Sequence, residues 1–369
     1  MAETIKIFHG PQHPGITGNM SMELDLAGET IVSARTHVGY LHRGFEKLVE
    51  RRTVMQAFTI VCRICVPEPD INEQNFASAV EKIAGIEISP RASALRTMVL
   101  EMARLASLLM WMGGQGGSIG LYVVPQWAMA DRDLILDRFE ELTGGRVYHM
   151  YIFPGGVRRD IPEGFLGRLS ETLDRIEARL DIYDRIFFHN ASFKKRAVGV
   201  GVVDRDEALK NGYSGQVLRA CGLKRDVRRD SPYLLYDSLD FEIPTRSEGD
   251  VYARAMVRRE EMYQSIRILR ELIERIPQTE GEIMALHPKK HRRFKLPDDT
   301  AWVKLESARG EMGLFMAGDG SEKIRRMQVR GPSLIHAYPL LENMLVGAEL
   351  ADVSLIMNSL GICPPEIER

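Results

Sequence analysis

The sequence predicts an α+β protein, a core of long helices with a small β-sheet towards each end. Three observations predict it. The first thirty-odd residues alternate apolar and polar side chains, two later stretches repeat apolar residues at helical spacing, and short alternating runs return after residue 298. The chain reads as one domain over 1–369, with an N-terminal β part (1–36), a helical core (37–276) and a C-terminal β/α part (298–369).

Ile5 to Phe8, Met20 to Leu26 and Thr30 to Ala34 alternate like strands, and Gly28-Glu29 supplies a turn between the last two. Ser89-Pro90 is a helix start, a capping side chain followed by proline at the first helical position. Behind it Leu95, Met98, Val99, Met102, Leu105, Ala106 and Leu109 share one helical face. Leu105 to Ala130 carries no charged side chain, but Gly113, Gly114, Gly116, Gly117 and Pro125 break it into pieces too short to span a bilayer. Asp131 to Leu142 predicts a further helix, stopped by Gly144-Gly145. Leu169, Leu173, Ile176, Leu180, Tyr183 and Phe187 form the seam of a long packed helix. Met262, Ile266, Leu269, Ile273 and Ile276 repeat that seam up to Pro277. Irregular loops are expected from Ala197 to Pro244 and a polar link from Pro277 to Pro297. Strands follow at Trp302–Glu306, Gly313–Ala317 and Arg325–Val329.

Composition excludes several function classes. A formal net charge of −2 argues against a nucleic-acid binder, which needs a basic excess. Lys224–Arg229 and Lys289–Lys295 are local basic islands, expected to be solvated or to dock an acidic partner. Four cysteines in 369 residues are too few for a disulfide scaffold. The start, MAETIKIFHG, has no basic-then-apolar signal-peptide pattern.

The chemistry gathers at two short stretches. "VCRICVPEPDIN" contains Cys62-x-x-Cys65, a spacing suited to half a zinc site or a redox pair, yet no second pair answers it. The terminal "GICPPEIER" repeats the Cys65-Val-Pro-Glu68 pattern as Cys363-Pro-Pro-Glu366. In each, proline stiffens a turn that lets thiol and carboxylate point the same way. Arg63 beside Cys65 could acidify a thiol. "GPQHP" presents His13 on a rigid loop, "HRGFEK" puts Glu46 on a helix, "ESARGEMG" offers Glu306, Arg309 and Glu311, and "VRGPS" offers Arg330. Cys221 reads as core filling, and His9, His37 and His336 carry no assigned chemistry.

These motifs in this order, with "AVEKIAG", "PGGVRRDIPEGF" and "LRACGLKRDVRRDSPY", resemble one large family along essentially the whole chain. It unites the quinone-site subunit of respiratory complex I with the large subunit of nickel–iron hydrogenases. The resemblance implies the hydrogenase large-subunit fold. In hydrogenases four thiolates hold the metals. Here two of those positions fall on Cys65 and Cys363, and the other two on Glu68 and Glu366. Carboxylates are harder, weaker-field donors, so no nickel–iron centre is expected. A small metal site on Cys65, Glu68, Cys363 and Glu366 is the alternative. Cys62 falls outside the motif. In complex I a histidine matched by His13 and a tyrosine at the position of Val66 bind the quinone headgroup; valine cannot donate that bond.

The stretch "RICVPEPD" with a terminal "CPP" is most similar to a third branch, the MBX-type membrane-bound sulfane reductases. That likeness implies a peripheral subunit on the cytoplasmic face of the membrane, binding no cofactor itself. It implies a [4Fe-4S] cluster in an adjacent small iron–sulfur subunit, further peripheral-arm subunits, Mrp-type membrane subunits that move ions, and ferredoxin as electron source. Cys65 and Cys363 would react with sulfane sulfur, Glu68 and Glu366 would supply protons with Glu46 as a relay, and His13, Arg63, Arg309 and Arg330 would hold substrate. Quinone reduction and a non-catalytic coupling role are the competing readings.

Overall fold

The computed structural model describes residues 4–16, 18–286 and 294–369. Strands β1 (Ile5–His9), β2 (Ser21–Ala27) and β3 (Thr30–His37) form an antiparallel sheet in chain order. Met20, Met22, Leu24 and Leu26 all face inward, so the alternation of β2 decides which side of the sheet is buried. Two short helices, α1 (Phe45–Glu50) and α2 (Val54–Val61), lead to α3 (Pro69–Ala84). Thr53 and Gln56 form a capping box that starts α2.

Helix α4 (Pro90–Ser118) is the axis of the molecule, packed against α5 (Val123–Thr143) and α11 (Val251–Arg275). Ser89 caps α4 by accepting from Ala92 N at 3.0 Å. The glycines expected to break the apolar stretch do not break it. Helix α4 runs through them, and they serve close packing instead: a Cβ at Gly116 would lie 2.7 Å from Val124, and one at Gly113 would lie 3.4 Å from Pro125. The reversal falls at 119–122. Among the described residues no helix is long and apolar enough to cross a membrane.

A two-residue hairpin, β4 (Ile152–Phe153) and β5 (Gly156–Val157), precedes α6 (Phe165–Tyr183), whose seam packs as the spacing predicts. The helix ends in a wider turn over Asp184–Phe188, followed by α7 (Ala191–Ala197). The region expected to be irregular holds three helical turns, α8 (Arg205–Lys210), α9 (Gly215–Ala220) and α10 (Val227–Asp230). Asp204 and Asp226 cap two of them, a local signal outweighed in the sequence by the surrounding glycines and prolines. The basic island there is a surface only in its first half, where Lys224 and Arg225 are exposed. Arg228 is buried, and Arg229 donates to the carbonyls of Tyr236, Leu239 and Phe241. Most of the second island, 289–293, lies outside the described residues.

The second sheet, β6 (Thr300–Ser307), β7 (Gly310–Ala317) and β8 (Arg326–Arg330), is also antiparallel in chain order. Short helices α12 (Pro332–Ile335), α13 (Leu341–Leu345), α14 (Val353–Leu360) and α15 (Pro364–Ile367) bring the C-terminus back against α4 and β3. The α+β arrangement predicted from the sequence is the one observed.

Candidate functional site

The two thiol–acid turns meet. Cys65 lies between α2 and α3, and Cys363 stands at the N-cap of α15. Their sulfurs are 3.4 Å apart, both buried and both unbridged. Prolines set both turns: Pro67 and Pro69 flank Glu68, and Pro364-Pro365 open α15.

Each carboxylate is held by backbone. Both oxygens of Glu68 accept from Ala308 N at 2.9 Å, and Glu366 accepts from Ser333 N at 2.9 Å. Ser333 also accepts from Cys363 N at 3.1 Å, so one serine ties thiol turn to acid. Arg309, at the β6–β7 turn, donates to Cys65 Sγ at 3.4 Å, to Glu68 at 3.3 Å and to Ser107 at 3.3 Å. Gly215 and Gly310 make that turn possible, since a Cβ at Gly215 would lie 2.5 Å from the Arg309 carbonyl.

The electrostatics suit a thiol and a thiolate side by side. The hydrogen bond from its partner lowers Cys363, helped by Arg309 against burial. That same hydrogen bond, with burial, pushes Cys65 far up. Of the two, Cys363 gives up its proton more readily than Cys65. Burial raises Glu68 and Glu366 against the pull of Arg309, so each keeps its proton to a higher pH than a surface glutamate does. Burial opposes the charge of Arg309, but the sulfurs and carboxylates around it outweigh that, and it stays protonated.

Cys363, Ala308 and Arg309 face a cavity of about 350 Å³ whose walls include Leu41, Val66, Leu108, Trp111, Ile362 and Pro364. Arg258 also lines it. Nothing in the motifs singles out Arg258; its only sequence signal is a charge one turn before the apolar seam that begins at Met262.

Other expected site residues lie elsewhere. Arg63 donates to Cys62 Sγ at 3.2 Å and sits over the Tyr148 ring, so it serves the wrong thiol for the expected role. Cys62 itself is buried, donates to Thr59 O and is pushed up to about 12 by burial; the Cys-x-x-Cys spacing is a coincidence. His13 is exposed, stacks on His9 with ring centroids 4.4 Å apart, and is absent from the cavity walls. Arg330 pairs with Glu311 at 2.9 Å beside a separate hollow. Glu46 accepts from Val329 N at 2.9 Å and from Arg326 at 3.3 Å, and so pins α1 to β8 rather than facing the thiols. The reason is common to all four: sequence adjacency or helix placement does not say which way a side chain turns. Cys221 fills core, donating to Val203 and Val217 carbonyls.

The donor set does not fit a hydrogenase-type centre. Two sulfurs remain, Arg309 holds one of them, and Glu68 turns both oxygens to Ala308. Of the alternative ligands, Cys65, Cys363 and Glu366 have donor atoms within 4.8 Å of one another.

Residues 118–369 match the family described as the respiratory-chain NADH dehydrogenase 49 Kd subunit. The chain belongs to this family. It is 45% identical to the D subunit of the NADH-quinone oxidoreductase of Thermosipho melanesiensis over 99% of each chain. It is 37% identical to the D subunit of the F(420)H(2) dehydrogenase of Methanosarcina mazei, covering 98% of this chain and 96% of that one. A chain in the solved structure of the membrane-bound sulfane sulfur reductase (MBS), an archaeal respiratory membrane complex, superposes with a TM-score of 0.96 at 43% identity. That match covers 100% of this chain and 99% of the other. The 49 Kd-subunit fold here thus carries a buried dithiol on an apolar cavity.

Proposed function

We propose that this chain is the acceptor-reducing subunit of a complex I-like respiratory membrane complex, and that its acceptor is sulfane sulfur. The observation that carries the reading is the pair of reduced sulfurs at 3.4 Å, flanked by two buried carboxylates, with Cys363 lining the cavity and Cys65 behind it. The 43% identity to a chain of the sulfane sulfur reductase supports it.

The thiolate of Cys363 attacks a sulfane sulfur of the acceptor. A sulfur–sulfur bond of the acceptor breaks, and the leaving sulfur takes a proton from Glu366 or Glu68. The cysteine now carries a persulfide. Cys65 attacks the cysteine sulfur of that persulfide and gives its proton to the outer sulfur, which leaves with whatever it carries. The product is a Cys65–Cys363 disulfide, and the acceptor has gained two electrons. Two electrons, which an iron–sulfur cluster in a neighbouring small subunit fed by ferredoxin would supply singly, would reopen the disulfide, and two protons would restore the thiols and acids. Mrp-type membrane subunits would couple the turnover to ion movement, with this chain peripheral on the cytoplasmic face.

Cys65→Ser and Cys363→Ser in the assembled complex test the relay. Ferredoxin-driven polysulfide reduction should fall to background while subunit stoichiometry and the partner's cluster spectrum stay intact. Undiminished reduction by either variant sinks it. The apolar cavity walls and the name of the Thermosipho melanesiensis relative favour quinone reduction as a second reading; short-chain quinone reduction that survives Cys65→Ser would establish that one instead.

A further inference from the structure

The cavity holds a second cation, and this one forms no ion pair among the described residues. Arg258 is 1% exposed and projects from α11 into the cavity wall. Its Nη1 donates to the Ser359 carbonyl at 2.6 Å, and its guanidinium lies 4.6 Å from the centroid of the Trp111 ring. Its Nη2 has no hydrogen-bond partner among the described residues. Both oxygens of Glu261, one turn on, are spent on Arg219 and Gln216. Arg309, by contrast, is matched by Glu68 and Cys65.

A buried guanidinium without an anion is costly, so such a group is retained where something supplies the charge. Burial draws Arg258 down to about 9, while Glu261 opposes that and Arg254, Arg219 and Arg309 add to it. The backbone beside Nη2 carries no side chain. Gly361, in the left-handed conformation at the end of α14, stands where a Cβ would be 3.1 Å from Nη2. Gly361 also lines the cavity beside Cys363. His336, with both ring nitrogens unpartnered among the described residues, is held neutral first by burial and then by Arg258, Arg254 and Arg330, and an imidazole is no source of negative charge.

We propose that Arg258 Nη2 binds the anionic end of the substrate, a singly charged hydropolysulfide or persulfide chain, with Trp111 as the wall along which its neutral sulfurs lie. The assignment rests on the sulfane-reducing reading and deepens it. An anionic chain end fixed at Arg258 turns an inner sulfur towards Cys363, whose residue lines the same cavity. A charge-assisted hydrogen bond in a dry site sets the affinity and the orientation of the chain. Neutral dialkyl trisulfides would enter the same cavity without that contact.

The test has two arms on Arg258→Gln, with Arg258→Lys as the charge-conserving control and thermal melting to show that both fold. In the assembled complex, the Gln variant should raise KM for hydropolysulfide about tenfold or more and leave KM for dimethyl trisulfide unchanged. The Lys variant should recover part of the loss. Calorimetric titration of the full-length chain with sodium thiocyanate, a linear soft monoanion, should give one saturable site in the wild type, weakened about tenfold or more in the Gln variant. Equal changes for charged and neutral acceptors, or thiocyanate binding indifferent to residue 258, would overturn the assignment. If the wild-type complex reduces neither acceptor, the sulfane reading fails, and the thiocyanate arm still decides whether Arg258 is an anion site.

Discussion

Two buried polar regions share strand β6 and its turn, and they are built on opposite plans. One is the ion network of Arg104, Arg219 and Arg228 with Glu101, Asp226, Glu261 and Glu306. There each guanidinium meets at least one carboxylate: Arg219 bonds Glu261 at 2.5 Å and Glu306 at 2.8 Å, and Arg228 bonds Asp226 at 2.8 Å and Glu101 at 3.2 Å. Tyr236 and Ser265 fill the remaining lone pairs of Glu101 at 2.7 Å each. The other region is the thiol site, where two sulfurs are left reduced and Arg258 keeps a donor without a partner among the described residues. Arg219 Nε also lacks a partner among the described residues, so charge pairing, not hydrogen-bond saturation, separates the two regions. Charges paired on every side have nothing left to offer a substrate.

That contrast can be broken most sharply at Arg309, the residue at the junction. Its removal leaves the network intact but takes away the cation that, second to the hydrogen bond from Cys65, lowers Cys363 and that pairs with Glu68. Arg309→Gln should therefore cut acceptor reduction at neutral pH by about tenfold or more, with part of the rate regained as pH rises, since a higher thiol pKa is met by a higher pH. A rate–pH profile of the assembled complex checks this. A uniform loss at every pH would make Arg309 a structural residue like its neighbours.

The network should respond in stability instead. Asp226→Asn breaks two buried pairs and should cost about 3–5 kcal/mol, read from urea unfolding midpoints. Burial pushes Asp226 up, but Arg228 and Arg219 outweigh it and hold the carboxyl well below its ordinary value. A depressed acid contributes its full stability above the unfolded-state pKa and loses it as pH falls through the folded one. The gap between wild type and variant should thus be widest just above the ordinary carboxylate range and close only well into acid. Glu306 moves the other way. Burial and Asp226 raise it to about 7, so its ionisation opposes folding as pH rises to that value; without Asp226 that opposition weakens.

How much of this was legible in the sequence follows the same division. Helix seams such as Leu169–Phe187 and the alternation of β2 are local periodicities, and they predict the elements that form. The Cys65–Cys363 meeting is readable because the two turns repeat one pattern and resemble one family, although no local rule joins residues 298 apart. Arg258 is not readable. Nothing in "AMVRREEM" separates it from Arg259, which pairs with Asp184 at 2.5 Å. Neighbouring arginines on a helix point about 100° apart, and tertiary packing alone decides which meets an anion. The same ignorance of direction puts Arg63 and Glu46 in the site by sequence and out of it in space.

The smallest expected effect sharpens the boundary of the site. The motif "VRGPS" offers Arg330 as a substrate ligand, yet it pairs with Glu311 at 2.9 Å, and both side chains are partly exposed, 39% and 27%. An exposed pair of this kind contributes about 0–1 kcal/mol, because water screens the attraction and two long side chains lose freedom to make it. Arg330→Gln should therefore shift the unfolding midpoint by less than about 1 kcal/mol and leave KM for both hydropolysulfide and dimethyl trisulfide where they were. Its charge reaches His336, but that imidazole is held neutral first by its burial and then by Arg258 and Arg254, so losing Arg330 alone leaves it neutral. A rise in KM for hydropolysulfide confined to Arg330→Gln would move the anion-binding edge of the site from the cavity at Trp111 to the hollow beside Glu311. It would also leave the unpartnered donor on Arg258 without a purpose.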